Sequence, residues 1–335
     1  MLIYLGPLTT NARQGGVTVL TDILLEFIKH KNIDVISINT NQHNKLLKLL
    51  LCGEILFKLL KSSNGSKVLM NVTFRDVFLL LPFVILSARL KSHMVYLRKF
   101  AGDFHTRIEK LPYFLRIITY KLLDSCFVVY VETPEIRDAL SKKLNNIKIF
   151  PNVRRSPDVA LWKQAPRTNR FVYCSQVRPE KGILDLIDYF KTRPDLTLDI
   201  YGVIINKTIN PDSLPDNVHY MGVLPHTSVS ERLIEYDALL LPTRYESEGY
   251  PGIIIEASLV GLPVITRRHM SIPTMCGNNV TYIGNEEEAL SVAIDKVVNN
   301  LADSRDQALT LGYRFEAGMV HDDIIKGILR ENCDA

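Results

Sequence analysis

The 335-residue sequence lacks the features that mark several classes of protein. Its five cysteines are scattered without a CxxC pair, which argues against a disulfide framework or a zinc site and for reduced thiols in the cytosol. It has no GxGxxG motif, which counts against a nicotinamide or flavin enzyme. No signal peptide is visible, and the longest apolar run, residues 77–88, is too short to span a bilayer. We therefore expect a buried helix at that run, and a cytoplasmic protein.

Charge is distributed unevenly along the chain. Residues 1–150 carry 21 Lys and Arg against 11 Asp and Glu, whereas residues 151–335 carry 19 against 25. A basic half suggests an anionic partner. Two stretches of it, residues 45–61 and 111–123, mix Leu and Phe with basic residues, which fits either peripheral contact with an anionic membrane or core helices with a wet basic face. Nucleic acid is disfavoured, because the basic residues are not interleaved with aromatic ones.

Apolar runs predict alternating strands and helices in both halves of the chain. The predicted strands are residues 2–5, 34–38, 67–71, 94–98, 127–132, 147–150, 170–174, 196–201, 218–221, 238–242, 262–266 and 281–283. This alternation is typical of parallel sheets covered by helices, so the predicted fold class is α/β. The predicted parts of the chain are a domain at 1–150, a polar, proline-containing linker at 151–169, a second domain at 170–313 and a C-terminal helix at 314–335.

The most informative segment, EGYPGIIIE, contains two carboxylates, Glu248 and Glu256, with seven residues between them. Apolar runs on both sides predict strand, loop, helix and strand, with Pro251 at the first helical position. Glu248 is then at the carboxyl end of a strand and Glu256 one turn inside the helix. Free backbone N–H groups near residues 252–254 suit a diphosphate, and carboxylates accept hydrogen bonds from sugar hydroxyls. The pattern indicates a sugar-nucleotide site; the alternative is two solvated acids favoured by the helix dipole.

The longer segment EGYPGIIIEASLVGLPVI closely resembles the nucleotide-sugar signature of the retaining GT-B glycosyltransferases of family 4. The resemblance implies two Rossmann-like parallel-sheet domains facing across a cleft, with residues 314–335 packing back toward the first domain. It also implies that Glu248 lies by the donor sugar and that Glu256 binds the ribose. Pro251 stands where many members have Gly, so one phosphate-facing N–H is missing. The donor-binding residues implied are Gly15, Gly16, Gly249, Tyr250, Gly252, Ile253 and Glu256.

A second element of the resemblance follows the strand predicted at 170–174. Lys181-Gly182 match the end of the family's Arg-x4-Lys-Gly element, but Gln176 stands where the arginine is usual. The resemblance implies that Lys181 neutralises the leaving diphosphate, where an ammonium group is effective. Arg178 is the candidate to replace the missing arginine, unless its side chain points away. A solvated lysine is the alternative interpretation of Lys181.

The first half offers two further elements. Gly15-Gly16 opens the first helix, where the family's glycine pair lets the backbone approach the donor phosphates and the acceptor. The strand predicted at 94–98 ends in a polar loop, and the His that many members carry there corresponds to Phe100. The candidate acceptor-binding residues are Arg98, Lys99, Asp103 and His105, for which surface ion pairing is the alternative.

These features predict a transferase that needs no metal and no cofactor, because no Asp-x-Asp pair ends a strand and no His/carboxylate cluster has metal-ligand spacing. Lys181, Arg178 and Glu248 are the predicted catalytic residues. Family habit and the basic, apolar first half together imply a lipid-linked glycan acceptor at the inner membrane face, in lipopolysaccharide, O-antigen or related polysaccharide synthesis. The alternatives are a noncatalytic GT-B subunit that partners an active transferase and a sugar-nucleotide epimerase, whose acid/base cluster is missing.

Overall fold

The computed structural model describes residues 1–9, 16–41, 45–100, 102–157, 168–285 and 289–331, with backbone only at 45–49. The chain divides into two compact units. Unit 1 comprises Met1–Val153 and Ala317–Ala335, and unit 2 comprises Arg154–Glu316. Gly15, one of the predicted donor-binding residues, lies outside the described residues.

Unit 1 is built on a six-stranded parallel sheet with strand order β2-β1-β3-β4-β5-β6. The strands are β1 (Leu2–Gly6), β2 (Val35–Asn39), β3 (Lys67–Val72), β4 (Met94–Lys99), β5 (Val128–Val131) and β6 (Ile147–Ile149). The helices are α1 (Gly16–His30), α2 (Lys45–Lys61), α3 (Asp76–Leu79), α4 (Leu81–Lys91), α5 (Phe104–Glu109), α6 (Tyr113–Asp124) and α7 (Pro134–Leu140). Because successive strand residues point to opposite faces, the unit has two apolar layers.

One face of this sheet packs against α1 and a C-terminal helix, Ala317–Arg330, through residues such as Tyr4, Tyr96 and Ile325. The other face packs against α2 to α7 through the alternate strand residues. Residues 77–88, predicted to be one buried helix, form parts of two helices, since α3 ends at Leu79 and α4 has Pro82 in its first turn. Proline lacks an N–H and therefore suits a helix start rather than its interior. The prediction of full burial is also wrong, because Leu86 is more than half exposed.

Unit 2 repeats the architecture, with strand order β12-β11-β10-β7-β8-β9, all parallel. The strands are β7 (Arg170–Cys174), β8 (Thr197–Tyr201), β9 (Val218–Tyr220), β10 (Ala238–Leu241), β11 (Val264–Thr266) and β12 (Thr281–Tyr282). The helices are α8 (Ile183–Lys191), α9 (Val229–Leu233), α10 (Gly252–Leu259), α11 (Ile272–Cys276), α12 (Ala289–Asn299) and α13 (Leu301–Arg314); the C-terminal helix of unit 1 is α14. Short 3₁₀ turns occur at Pro179–Lys181, Pro211–Ser213 and His226–Ser228.

The strand predictions are confirmed to within two residues at each end. The most buried strand, β10, is a continuous apolar run with no solvent exposure, as expected for a central strand of a parallel sheet. The order of strands reverses between β7 and β10, which lie side by side in the sheet although α8, β8, β9 and α9 separate them in sequence. Strands β8 and β9 continue outward from β7, and β11 and β12 continue outward from β10. In open α/β sheets, ligands bind at such a switch point, beyond the carboxyl ends of the strands.

Candidate functional site

The loops that follow β7 and β10 contact each other at the switch point of unit 2. The backbone N–H of Arg244 donates to the carbonyl of Glu180 at 2.7 Å. Gly182 has φ of +79° and lies so close to Pro242 that a Cβ at this position would collide with the Pro242 backbone. A positive φ and this close approach both require glycine. The Lys181-Gly182 pair is therefore fixed against the loop that carries Glu248.

Lys181 and Glu248 form an ion pair across these two loops, and each side chain is only 9% exposed. The Thr243 hydroxyl also donates to Glu248 Oε2, at 3.0 Å. The ring of Tyr245 lies 5.2 Å from Lys181 Nζ. The structure thus brings together two of the three predicted catalytic residues.

Helix α10 follows Glu248 and carries Glu256. Pro251 immediately precedes the helix rather than opening it, so the prediction of a first-turn proline is wrong by one position. Gly261, with φ of +74°, follows the C-terminal end of α10, as glycine commonly does. Gly312 of α13 lies against the backbone at Ser258, where a Cβ would not fit, and this packing fixes the position of the helix.

Glu256 is paired with a residue that the sequence did not single out. Arg154 Nε donates to Glu256 Oε1 at 2.6 Å, and the two side chains are 9% and 14% exposed. The same guanidinium lies against Gly252, the first residue of α10, so that a Cβ at Gly252 would collide with it. Arg154 lies in the region predicted to be linker, 102 residues before Glu256. No local motif marks it, because its role depends on a contact between distant parts of the chain.

Arg178, the third predicted catalytic residue, is held by other groups. Its Nε and Nη2 donate to Glu180 at 2.9 and 3.1 Å, and its guanidinium lies 4.5 Å from the centre of the Tyr245 ring. The hydrogen bond to Glu180 raises the pKa of Arg178 above the ordinary value for arginine. Gln176, which replaces the usual arginine, is exposed. The loop after β7 therefore presents one cation, Lys181, to Glu248.

The other predicted donor-binding residues that the structure describes are divided between the two units. Tyr250 is buried, and its ring packs edge-on against Phe315 with the centroids 5.4 Å apart. Ile253 packs partly buried against the core of unit 2. In unit 1, Gly16 is the first residue of α1, and a Cβ there would meet no described atom within 4 Å. Gly249 belongs to the loop between β10 and α10.

The predicted acceptor-binding residues lie at the carboxyl end of β4 and the start of α5. Arg98 is buried: its guanidinium stacks 3.4 Å from the centre of the Phe150 ring and donates to the carbonyl of Pro151 at 2.9 Å. Lys99 is also buried, its ammonium group bonds to the Phe100 carbonyl, and burial lowers its pKa to about 8. Asp103 lies 3.9 Å from Arg107, and His105 Nε2 lies 3.2 Å from Thr106 Oγ1. The described residues contain no group of three or more His, Cys, Asp or Glu placed to hold a metal ion.

Part of the chain is similar in sequence to known glycosyltransferases. Residues 161–309 match the family model of the Glycosyl transferases group 1. A segment of 94 residues is 32% identical to the amylovoran biosynthesis glycosyltransferase AmsK of Erwinia amylovora, covering 27% of this chain and 23% of AmsK. The match therefore spans about a quarter of that relative's length.

The fold is that of solved glycosyltransferases. HepE of Anabaena, in complex with UDP and glucose, superposes with a TM-score of 0.71 over 98% of this chain and 99% of HepE, at 14% identity. Sucrose-phosphate synthase of Thermosynechococcus elongatus gives 0.71 over 98% of both chains, at 13% identity. At such identities the likeness concerns the fold alone. The chain thus has the GT-B fold, with a parallel six-stranded sheet in each unit, and the predicted fold class is confirmed.

Proposed function

We propose that this protein is a retaining glycosyltransferase that moves a sugar from a nucleoside-diphosphate sugar to a hydroxyl group of a glycan acceptor. The observation that carries the proposal is the ion pair between Lys181 and Glu248 at the switch point of unit 2, immediately before the N-terminus of α10. The match of residues 161–309 to the Glycosyl transferases group 1 supports it independently. Retention of anomeric configuration is inferred from the resemblance of the Glu248–Glu256 segment to the family 4 signature.

The leaving group of this reaction is a nucleoside diphosphate, on which negative charge increases as the glycosidic bond breaks. We expect Lys181 to stabilise that charge together with the first N–H groups of α10, although the N–H of Ile254 donates to the carbonyl of Pro251 at 3.1 Å. Such groups stabilise charge most strongly where water is excluded, and Lys181 is nearly buried. Glu248 orients Lys181, and its carboxylate can also accept hydrogen bonds from the hydroxyls of the donor sugar. Metal independence is part of the proposal, because these groups already supply positive charge to the leaving diphosphate.

We also propose that the acceptor is lipid-linked and that the product is a surface polysaccharide. AmsK is named for the biosynthesis of amylovoran, which supports a polysaccharide product. In unit 1, α2 packs beside α4, and α6 contacts α3 and α4. These helices carry apolar side chains that are each more than half exposed: Leu50, Phe57, Leu86, Leu90, Tyr113 and Phe114. We call this set the apolar helix surface.

Basic residues accompany the apolar helix surface. Lys61 Nζ lies 4.3 Å from the centre of the Phe57 ring, and the Arg116 guanidinium lies 5.6 Å from that of Tyr113. Apolar side chains flanked by cations suit the interface of an anionic bilayer, which the lysines and arginines reach while the rings enter the headgroup region. Within the described residues, no helix is long and apolar enough to cross a membrane. Contact with the bilayer is therefore proposed as peripheral, at the cytoplasmic face.

The test is a thermal-shift screen of the purified protein against UDP, GDP, ADP and their sugar conjugates, with and without EDTA. A ligand that binds only the folded state raises the melting temperature by mass action. We expect one nucleotide to stabilise the wild type in both conditions, and its sugar conjugate to transfer labelled sugar to a lipid extract. Nucleotide binding without any transfer would support a noncatalytic GT-B subunit, and no binding at all would contradict the proposal.

A further inference from the structure

The guanidinium of Arg154 occupies the N-terminus of α10. It lies against Gly252, the first residue of that helix, and is bonded to Glu256 one turn further along. The position is nearly closed to solvent. The N-terminus of a helix carries partial positive charge and unpaired N–H groups, so a cation there is electrostatically unfavourable by itself. Glu256 offsets this cost in the unliganded protein, and an anion bound at the same place would offset it as well.

The two glutamates of the motif are paired in the same way. Glu248 holds Lys181, and Glu256 holds Arg154. Both carboxylates were expected to accept hydrogen bonds from sugar hydroxyls, yet each has a cation as its partner in the unliganded structure. A diphosphate bound at this end of α10 would compete with the two carboxylates for these cations. If the diphosphate attracts the cations, both carboxylates become available to hydroxyl groups.

The loop after β7 does not provide a second cation for this exchange. Gln176 is neutral and exposed, and Arg178 is bonded to Glu180. Arg154 is the guanidinium that lies at the helix N-terminus itself. Its backbone is fixed, since its N–H donates to the carbonyl of Phe315 at 3.1 Å. Only its side chain has to turn in order to leave Glu256 and contact a phosphate.

We propose that Arg154 is the second diphosphate-binding cation of the donor site, which Glu256 holds in place until the donor arrives. The inference rests on the proposed function and extends it. The guanidinium transfers from Glu256 to the diphosphate, to which it can donate two parallel hydrogen bonds. Glu256, released from the pair, accepts hydrogen bonds from the ribose hydroxyls. The positive charge that Gln176 does not supply thus comes from the first residue of unit 2.

The test compares the binding of UDP, uridine and inorganic pyrophosphate to the wild type and to Arg154→Met by isothermal titration calorimetry. If UDP is not the nucleotide found in the screen, the diphosphate that is found and its nucleoside take its place. The matched control is Arg155→Met, the same change at the exposed neighbouring position. We expect Arg154→Met to weaken UDP about tenfold to a hundredfold and to weaken pyrophosphate as well, because charged hydrogen bonds are lost. Uridine should bind equally well or better, and Arg155→Met should behave as the wild type.

Three outcomes would overturn the inference. Unchanged or tighter UDP binding by Arg154→Met would mean that the guanidinium only obstructs the site. Equal loss of UDP and uridine would mean that its role is structural. Absence of nucleotide binding by both the wild type and Arg155→Met would remove the proposed function, and this inference with it.

A second comparison covers the case in which Arg154→Met leaves Glu256 unpaired and fails to fold. Arg154→Gln combined with Glu256→Gln removes both charges of the pair together, and Glu256→Gln alone is its reference. We expect the double variant to have a lower ratio of UDP to uridine affinity than Glu256→Gln, by about tenfold or more. Equal ratios would overturn the inference.

Discussion

Lys181 and Glu248 form an ion pair that joins the loops after two neighbouring strands, β7 and β10. The strands are adjacent in the sheet, but 67 residues separate the two side chains in sequence. The pair lies at the carboxyl ends of the strands, where the strand order reverses. Its burial means that each charge depends on the other, since an isolated charge in such a place is strongly disfavoured. Catalysis and folding stability are therefore linked at this site.

Glu248→Gln should reduce turnover much more than nucleotide affinity. The amide keeps the shape of the side chain but leaves the Lys181 ammonium without its counter-ion and alters the contact with the donor sugar. Removing one partner of a buried pair costs about 3–5 kcal/mol of stability. Transfer kinetics would measure the loss of turnover, and urea unfolding the loss of stability, for Glu248→Gln, Lys181→Met and the double variant. We expect the double variant to lose less unfolding free energy than the two single variants lose together; strict additivity of the losses would show that the two groups do not interact.

Glu256→Gln should weaken nucleotide binding, because it removes the negative charge and replaces one of the two acceptor oxygens for the ribose hydroxyls with an amide donor. A hydrogen bond to a charged group contributes about 1.5–3 kcal/mol, which is roughly tenfold to a hundredfold in affinity. Calorimetry with the ribonucleotide and its 2′- and 3′-deoxy analogues tests the assignment. The wild type should discriminate against at least one analogue, and Glu256→Gln should not. Undiminished discrimination in the variant would contradict the ribose assignment.

Gly252→Ala should destabilise unit 2 and weaken donor binding, because the new methyl group collides with the Arg154 guanidinium. Gly327→Ala is the matched control. Gly327 lies within α14, and a Cβ there meets no described atom within 4 Å. Alanine is favoured over glycine inside a helix by about 0.5–1 kcal/mol, so the control should be neutral or stabilising. Thermal unfolding of both variants measures the difference. Equal melting temperatures would show that the Arg154 side chain can move away from the new methyl group without loss of stability.

Lys99→Met should stabilise the protein at pH 7, with an advantage that disappears as the pH rises. Burial lowers the pKa of Lys99 to about 8 from 10.5, while Asp103 and Glu132 act in the opposite direction. Between these values the unfolded chain keeps a proton that the folded protein has released, so wild-type stability increases with pH. The shift corresponds to roughly 3 kcal/mol, from which about 1 kcal/mol is subtracted for the lost bond to the Phe100 carbonyl.

Urea unfolding at pH 7, 8.5 and 9.5 measures this effect, with Lys110→Met as the control because Lys110 is exposed. The difference between Lys99→Met and the wild type should shrink with rising pH, whereas the control should follow the wild type throughout. Parallel curves for all three proteins would contradict the assigned burial of the ammonium group.

Phe57→Ser combined with Phe114→Ser should reduce binding to vesicles that contain anionic lipid, because both side chains belong to the apolar helix surface. Val292→Ser removes an exposed apolar side chain from unit 2 and should have no effect. Co-sedimentation with anionic and neutral vesicles, at low and high salt, is the measurement. Salt should release the wild type from anionic vesicles. Equal partitioning to neutral and anionic vesicles would contradict the electrostatic part of the proposal.

Much of the fold was predictable because short sequence patterns specify where its strands and helices begin and end. β10 is a continuous apolar run, and the Gly261-Leu262-Pro263 sequence after α10 contains a helix end signal; both patterns can be read within a few residues. Helix α4 shows where this fails, since an apolar run gives no sign of which of its residues face solvent. Exposure of Leu86 depends on which helices pack beside α4, and that is decided by the rest of unit 1.

The sequence by itself determined the strands of the two sheets and the position of Glu248 and Glu256 around a helix start, because periodicity, turn residues and motif spacing are local properties. The family resemblance added Lys181 as a cation for the leaving diphosphate. Only the tertiary structure decided that each glutamate has its own cation, that Arg178 is bonded to Glu180, and that Arg154 lies at the start of α10. The two ion pairs and the place of Arg154 depend on strand order and on packing between residues far apart in sequence, which exist only when the sheet has assembled. The bond between Arg178 and Glu180 joins residues two positions apart, but it depends on the conformation that the loop after β7 adopts.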